Sequence, residues 1–393
     1  MDGSDPHPPQ PRAGDVPLGV LDLVPVTAGA SIAATLRNSV DLARLADRLG
    51  YRRYWVTEHH LSPSTAGLSA TLLTALIAEA TTHLRVGSGS LQLGHRTALS
   101  VAEEWGLLDA LHPSRLDLGL GRAGWHPPAA TPDTRSNDTA DGQPPDRQAP
   151  ADATEPTEPP APYPRLRSSD LFALHRLLLP RNPLNGADYL DQVLDVLTLF
   201  DGTYRAGRLA VDAVPGHRPD IQIWILGRTA GESAEVAGQL GLPYATNYHA
   251  SPSTTADSVA AYRKAFRPSA TLAQPYVIVT ADVVVGRDDE SARLAAVGHD
   301  LWSLANRIGQ PAPFPSPEDA AAHQWSPQDR ELVADLGRSR LVGTAPDVAA
   351  GLRAIQERYL ADELLVVTTT FDEADRRRSY ELLAAQWRAQ PTG

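Results

Sequence analysis

No cysteine occurs among the 393 residues, which removes disulfides, thiolate metal sites and cysteine nucleophiles together. A basic excess is missing too: 35 Lys and Arg stand against 47 Asp and Glu, for a formal net charge of −12. Nucleic acid and anionic membranes require cations to neutralise phosphates, so neither is expected as a partner. No run of about 18 apolar residues exists, so no membrane span is expected either. Residues 1–16, MDGSDPHPPQPRAGDV, lack a basic end followed by an apolar core and read as a disordered tail, not a signal peptide. These absences describe a soluble, cytoplasmic protein. What the chain does have is 42% hydrophobic residues, enough for a substantial core.

From Pro17 onward short apolar strands alternate with helical patterns, the signature of parallel α/β architecture. Strands are expected at 17–23, 54–57, 84–93, 115–121, 221–226, 242–246, 276–285 and 363–367. Helices are expected between and after them, with Ser69 as a candidate N-cap and Thr344 with Asp347 as a helix start. Eight strand–helix units fit a closed (β/α)₈ TIM barrel over residues 17–390 better than an open sheet. One stretch breaks the pattern. Residues 126–164 hold 11 of the 34 prolines, and no Val, Ile, Leu, Phe, Trp or Met lies between His126 and Pro162. Such a segment cannot offset its ordering entropy, so it reads as a disordered insertion after the fourth strand.

In such a barrel the chemistry sits where strands end. The second strand ends in Glu58-His59-His60. Adjacent side chains on a strand face opposite ways, so two neighbouring histidines do not easily ligate one metal. One imidazole at the mouth could act as a hydrogen-bond donor or general acid/base; the alternative is a locally paired strand end. The fourth strand ends in Gly121-Arg122, and the fifth in Gly227-Arg228-Thr229-Ala-Gly-Glu232-Ser233. An arginine with hydroxyls beside a helix start suits a phosphate, although Thr229-x-x-Glu232 could equally be a capping box. Gly87-Ser-Gly89 implies a backbone that approaches something closely or bends.

Taken in order, LGVLDLVPV (18–26), LADRLGYRRYWVTEHH (45–60), LRVGSGSLQL (84–93), AEEWGLLDALHPSRLDLGLGR (102–122), IWILG (223–227) with SAEVAGQLGLPYA (233–245), and LVGTAPDVAAGL (341–352) resemble blocks of the luciferase-like flavin monooxygenases. The Glu-His-His version resembles the alkanal-monooxygenase branch. This resemblance implies reduced FMN (FMNH₂) as cofactor, with molecular oxygen entering an organic substrate through a C4a-peroxyflavin. It implies that His59 lies beside the flavin's reactive edge with Glu58 in support. Gly89-Ser90 would form a cis peptide under the ring, and Arg122, Gly227, Arg228, Thr229 and Ser233 would surround the phosphate. No second nucleotide fingerprint is visible, so a separate NAD(P)H:flavin reductase is the expected partner, with a homodimer as the expected assembly. Gly-Arg-Ala-Gly-Trp-His after strand four and Gly-Arg-Thr after strand five depart from the usual family text. Rival expectations are an F420-dependent oxidoreductase on the same barrel, a metal hydrolase using His59, His60 and His249, and a non-catalytic flavin-binding subunit.

Overall fold

The computed structural model describes residues 16–122, 170–179, 189–216 and 219–389. The expected insertion and nearly all of the expected tail lie outside these residues. The strands are β1 (Leu18–Asp22), β2 (Arg53–Val56), β3 (Arg85–Ser88), β4 (Leu91–Gln92), β5 (Leu116–Gly121), β6 (Arg205–Ala206), β7 (Leu209–Ala210), β8 (Ile221–Gly227), β9 (Tyr244–Thr246), β10 (Val277–Gly286), β11 (Leu341–Thr344) and β12 (Glu363–Val367). Eight of them pair in the order β1-β2-β3-β5-β8-β9-β10-β12, and β12 returns to β1. Val20 faces Tyr54 on one side and Val366 on the other, both in parallel register. This is the (β/α)₈ barrel that the alternation predicts. The third strand differs from its expected 84–93 run: it breaks at the cis Gly89–Ser90 peptide and resumes as β4, which pairs with β5. β11 adds an outer strand on β10, and β6 with β7 makes a small hairpin.

The helices are α1 (Ile32–Arg48), α2 (Ala70–Ala80), α3 (Ala98–Leu111), α4 (Asp170–Leu178), α5 (Tyr189–Phe200), α6 (Glu232–Gln239), α7 (Thr255–Ala265), α8 (Asp289–Ala295), α9 (His299–Arg307), α10 (Pro317–Ala322), α11 (Pro327–Ser339), α12 (Ala345–Tyr359) and α13 (Glu373–Ala389). Their starts are chemically marked. Ser31, Ser69 and Thr97 each accept an amide hydrogen bond from the first turn, at 3.2, 3.4 and 3.0 Å, the role expected of Ser69. Thr344 does open α12, but its hydroxyl bonds the Asp347 carboxylate instead of a helix amide. Among the described residues no helix is long and apolar enough to cross a membrane.

Alternation on the strands divides the core in two. Leu21, Trp55, Trp224, Leu226, Ala245, Ile278, Leu365 and Val367 pack together inside the barrel, while their neighbours Val20, Tyr54, Val56, Ile225, Tyr244, Val279 and Val366 meet the helices. Near the strand starts the lumen holds charge. Arg53, 3% exposed, lies between the fully buried Asp117 (2.5 Å) and Glu363 (2.7 Å). Burial alone would lower the guanidinium's pKa, but the two carboxylates more than offset it and raise it above its ordinary value. Glycine permits the tight β3–β5 contact. A Cβ on Gly87 would sit 1.9 Å from the Asp117 carbonyl oxygen, and one on Gly119 2.1 Å from that of Ser88, the close approach that Gly87-Ser-Gly89 suggests.

Candidate active site

The opposite end of the barrel opens into a cavity of about 370 Å³. Its wall takes residues from strand ends all round the mouth: Leu23 after β1, His59 and His60 after β2, Arg228 after β8, His249 after β9 and Thr369 after β12. Asp282 of β10 reaches it from within the sheet, α9 covers it with His299 and Trp302, and Arg340 joins them from directly after α11. Concave, partly apolar and lined by convergent polar groups, it has the character of a ligand site.

The Glu-His-His trio follows the end of β2, and its members take different partners. The His59 amide donates to the Gly67 carbonyl at 2.7 Å, and its ring Nδ1 meets the Thr57 hydroxyl at 3.3 Å. A side chain at Gly67 would strike the Thr57 carbonyl at 2.5 Å, so glycine there lets the loop close against the strand end. Although His59 presents surface to the cavity, the surrounding protein and then its neighbour His60 hold its imidazole down to about 4. It is uncharged at neutral pH.

Glu58 points the other way. Its carboxylate, 2% exposed, accepts from His60 Nε2 at 3.0 Å and from Arg96 at 3.2 Å, with His95 Nε2 at 3.7 Å. Burial raises its pKa, but the His60 hydrogen bond and Arg96 outweigh that and hold it below the usual carboxylate value. A carboxylate only accepts, so His60 carries its proton on Nε2. Glu58, His60 and His95 place ligand atoms within 4.8 Å of one another, close enough for a metal ion. Arg96 already supplies positive charge to the same carboxylate. The trio envisaged for a hydrolase, His59, His60 and His249, is not the cluster that forms.

On the far wall Thr280 donates its hydroxyl to the Thr246 carbonyl at 3.2 Å and contacts His249 Nδ1 at 2.6 Å. Having spent its proton, that hydroxyl accepts from Nδ1–H, which leaves His249 Nε2 as a hydrogen-bond acceptor. Asp282 is bound by Arg340 at 2.7 Å and faces His299 Nδ1 at 3.7 Å. Burial holds both His249 and His299 down to about 4.

Of the phosphate candidates Arg228 lines this cavity, while Arg122, Gly227, Thr229 and Ser233 lie outside its wall. Arg122 bonds Glu232 at 2.7 Å, and Glu232 also receives the Tyr189 amide at 3.0 Å. The capping-box alternative for Thr229 fails. Gly231, which has no side chain to cap with, is the N-cap of α6; its amide turns back onto the Thr229 carbonyl at 2.8 Å, so the helix starts beyond Thr229. The first amides of α6 therefore lack a capping side chain, a donor set suited to an anion. Gly227 is required where it stands, since a Cβ would meet the Tyr244 hydroxyl at 2.3 Å. Ser233 is buried and Thr229 exposed. Gly89 and Ser90 lie at the β3–β4 break, where a side chain on Gly121 would strike Ser90 Oγ at 2.2 Å.

Residues 16–362 match the family model for luciferase-like monooxygenases. The chain belongs to that family. It is 34% identical to the uncharacterised protein YvbT of Bacillus subtilis over 374 residues, 95% of this chain and 97% of the relative. Apo-MsnO8 has the same fold, with a TM-score of 0.74 and 28% identity, covering 96% of this chain and all of the other. More distant barrels include the oxygenating constituent of 3,6-diketocamphane monooxygenase from Pseudomonas putida in complex with FMN (TM-score 0.64, 15% identity, 96% and 100% covered). An F420-dependent secondary alcohol dehydrogenase shares the fold too (TM-score 0.56, 12% identity, 95% and 99% covered). As a luciferase-like monooxygenase the chain is an oxidoreductase. Sequence reasoning passed over three parts of its site: the Glu58–His60–His95–Arg96 nest, the His249–Thr280 pair and the Asp282–Arg340–His299 wall. His95-Arg96 stood in plain view after strand three, but nothing in the sequence ties them to Glu58.

Proposed function

We propose that this luciferase-like monooxygenase binds reduced FMN at the barrel mouth and uses oxygen to oxygenate a small organic or natural-product substrate. The observation that carries the reading is the pairing of a side-chain-uncapped helix start and Arg122 with an adjoining cavity that contains a neutral His59. FMN supplies the oxygen-activating chemistry; the chain binds, orients and excludes water. Arg122, Thr229, Ser233 and the first α6 amides would hold the phosphate, and the Gly89–Ser90 turn would support the ring. His59, uncharged, can take or give a proton at the reacting atoms. Glu58 does not reach the cavity and serves as a positioning residue for His60. The same fold hosts F420 enzymes, so the test is direct: titration with FMNH₂ and with reduced F420 should show binding of the former. Preference for F420 would overturn the reading.

Arg122→Ala should weaken FMN binding by about 1.5–3 kcal/mol, the value of a charge-assisted contact. Riboflavin, which lacks the phosphate, should lose nothing. Equal FMN affinity in both proteins would place the phosphate elsewhere.

A separate NAD(P)H:flavin reductase would deliver FMNH₂ in the cytoplasm; the cysteine-free composition suits that reducing compartment. Rapid NADH oxidation by the purified chain with FMN would remove the need for this partner. A homodimer is supported by leucines left exposed at i, i+4 spacing on two adjacent helices: Leu72 (68%) and Leu76 (56%) on α2, Leu107 (58%) and Leu111 (74%) on α3. Leu72→Glu with Leu107→Glu should shift the sedimenting species from dimer to monomer. An unchanged species would place the contact on another face.

A further inference from the structure

The cavity contains three arginines, and two of them are already neutralised. Arg307 binds Asp335 through both of its terminal nitrogens, and Arg340 is shared between Asp282 and Asp300. Among the described residues, Arg228 has no carboxylate partner, and it lies exposed on the cavity wall. Glu232, the nearest acid in its own loop, is occupied by Arg122. Asp282, the carboxylate on this wall, is taken by Arg340, and His59, His249 and His299, held near 4, are neutral at pH 7. Arg228's positive charge helps to hold the first two there. An acidic protein of net charge −12 thus exposes, in the polar-lined cleft at the barrel mouth, a cation with no carboxylate partner among the described residues. A guanidinium in a concave, partly apolar site selects an anion, and best a planar one it can grip with two N–H donors.

We propose that Arg228 anchors a carboxylate of the substrate, placing the rest of the molecule along the cavity between His59 and His249. His249 offers its Nε2 acceptor to a hydroxyl or amide proton of that molecule, and Asp282, held by Arg340, lines the same cavity. The substrate class is then a small carboxylic acid bearing a hydrogen-bond donor and an apolar part. This rests on the flavin reading, because a flavin phosphate is the other anion that Arg228 could meet.

The test uses the full chain, wild type and Arg228→Met, an exposed position where the substitution spares the core. FMN and riboflavin affinities are measured first, by flavin fluorescence. Calorimetry on the FMN-saturated protein then compares acids with their own primary amides: octanoate with octanamide, 3-phenylpropionate with its amide, and salicylate with salicylamide. At least one acid should bind about tenfold or more tightly than its amide. That advantage should vanish in Arg228→Met and return in part in Arg228→Lys, with FMN affinity within about twofold of wild type. If no acid outbinds its amide, the proposal is overturned. A loss of FMN affinity with riboflavin spared also overturns it, by making Arg228 a phosphate ligand. A wild-type chain that binds no FMN overturns the flavin reading instead, and the acid–amide comparison repeated without flavin still decides the role of Arg228.

Discussion

His59→Ala should lower productive oxygenation by about 10²–10⁴-fold, the range of a positioned proton-transfer group, while FMN affinity stays within about twofold. The ring is at the mouth, not in the core, so its removal leaves no buried void and no unpaired charge. Among the described residues its one side-chain hydrogen-bond contact is the 3.3 Å approach to Thr57, and the backbone bond to Gly67 survives truncation. Held down to about 4, the imidazole is neutral from pH 5.5 to 8, so wild-type turnover should show no inflection near 6.5 from this residue. Rates should fall only as the pH approaches 4. The measurement is product formed per FMNH₂ oxidised, in a reductase-coupled assay with a substrate found by oxygen-uptake screening. Normal coupling in the variant would remove His59 from the reaction. His60→Ala is the informative control: it opens the Glu58 nest, and its effect should fall mainly on binding.

The second large effect concerns folding. Arg53→Met should destabilise the chain by about 3–5 kcal/mol, because it leaves Asp117 and Glu363 charged and buried with their main counter-ion gone. Both carboxylates are fully buried. Asp117 keeps Arg85 at 2.8 Å and the Trp55 indole N–H at 2.9 Å, whereas among the described residues Glu363 keeps only the Tyr276 hydroxyl at 3.3 Å. The guanidinium also packs over the Trp224 ring at 4.7 Å, so the loss includes packing. Denaturant unfolding of the two proteins reads the difference directly. A change below about 1 kcal/mol would mean that water reaches this end of the lumen and already pays for the charges. The triple variant with Glu363→Leu and Asp117→Asn should recover part of the loss, since removing all partners of a buried network costs less than removing one.

The cavity and the ion network sit at opposite ends of the same strands, and that division reflects how a barrel distributes its tasks. Strand starts are sealed and carry stability, while strand ends feed loops and carry ligands. The Asp22 carboxylate belongs to the sealed class although it ends β1. It takes bonds from Ser39, Tyr54 and Arg376 at 2.5–2.6 Å and thereby clamps α1 and α13 onto the sheet.

Period and order along the chain were enough to determine the eight strands, their closure into a barrel, the helix start at Ser69 and the strand-end residues where a ligand would lie. Those features follow from local patterning, which each segment carries in itself. The sequence also marked Gly87 and Gly89 as points of close approach, since no other residue leaves the backbone bare. Tertiary structure alone decided which way each strand-end side chain faces and whom it meets. Glu58 reads as a neighbour of His59, yet the fold brings it to His60, His95 and Arg96. Thr229 reads as a cap, yet a turn at Gly231 moves the helix start past it. Arg228 reads as part of a phosphate loop, yet its place is on the cavity wall, without a counter-ion among the described residues. Arg96 lies 38 residues from Glu58, and charge pairing at that distance leaves no period in a sequence.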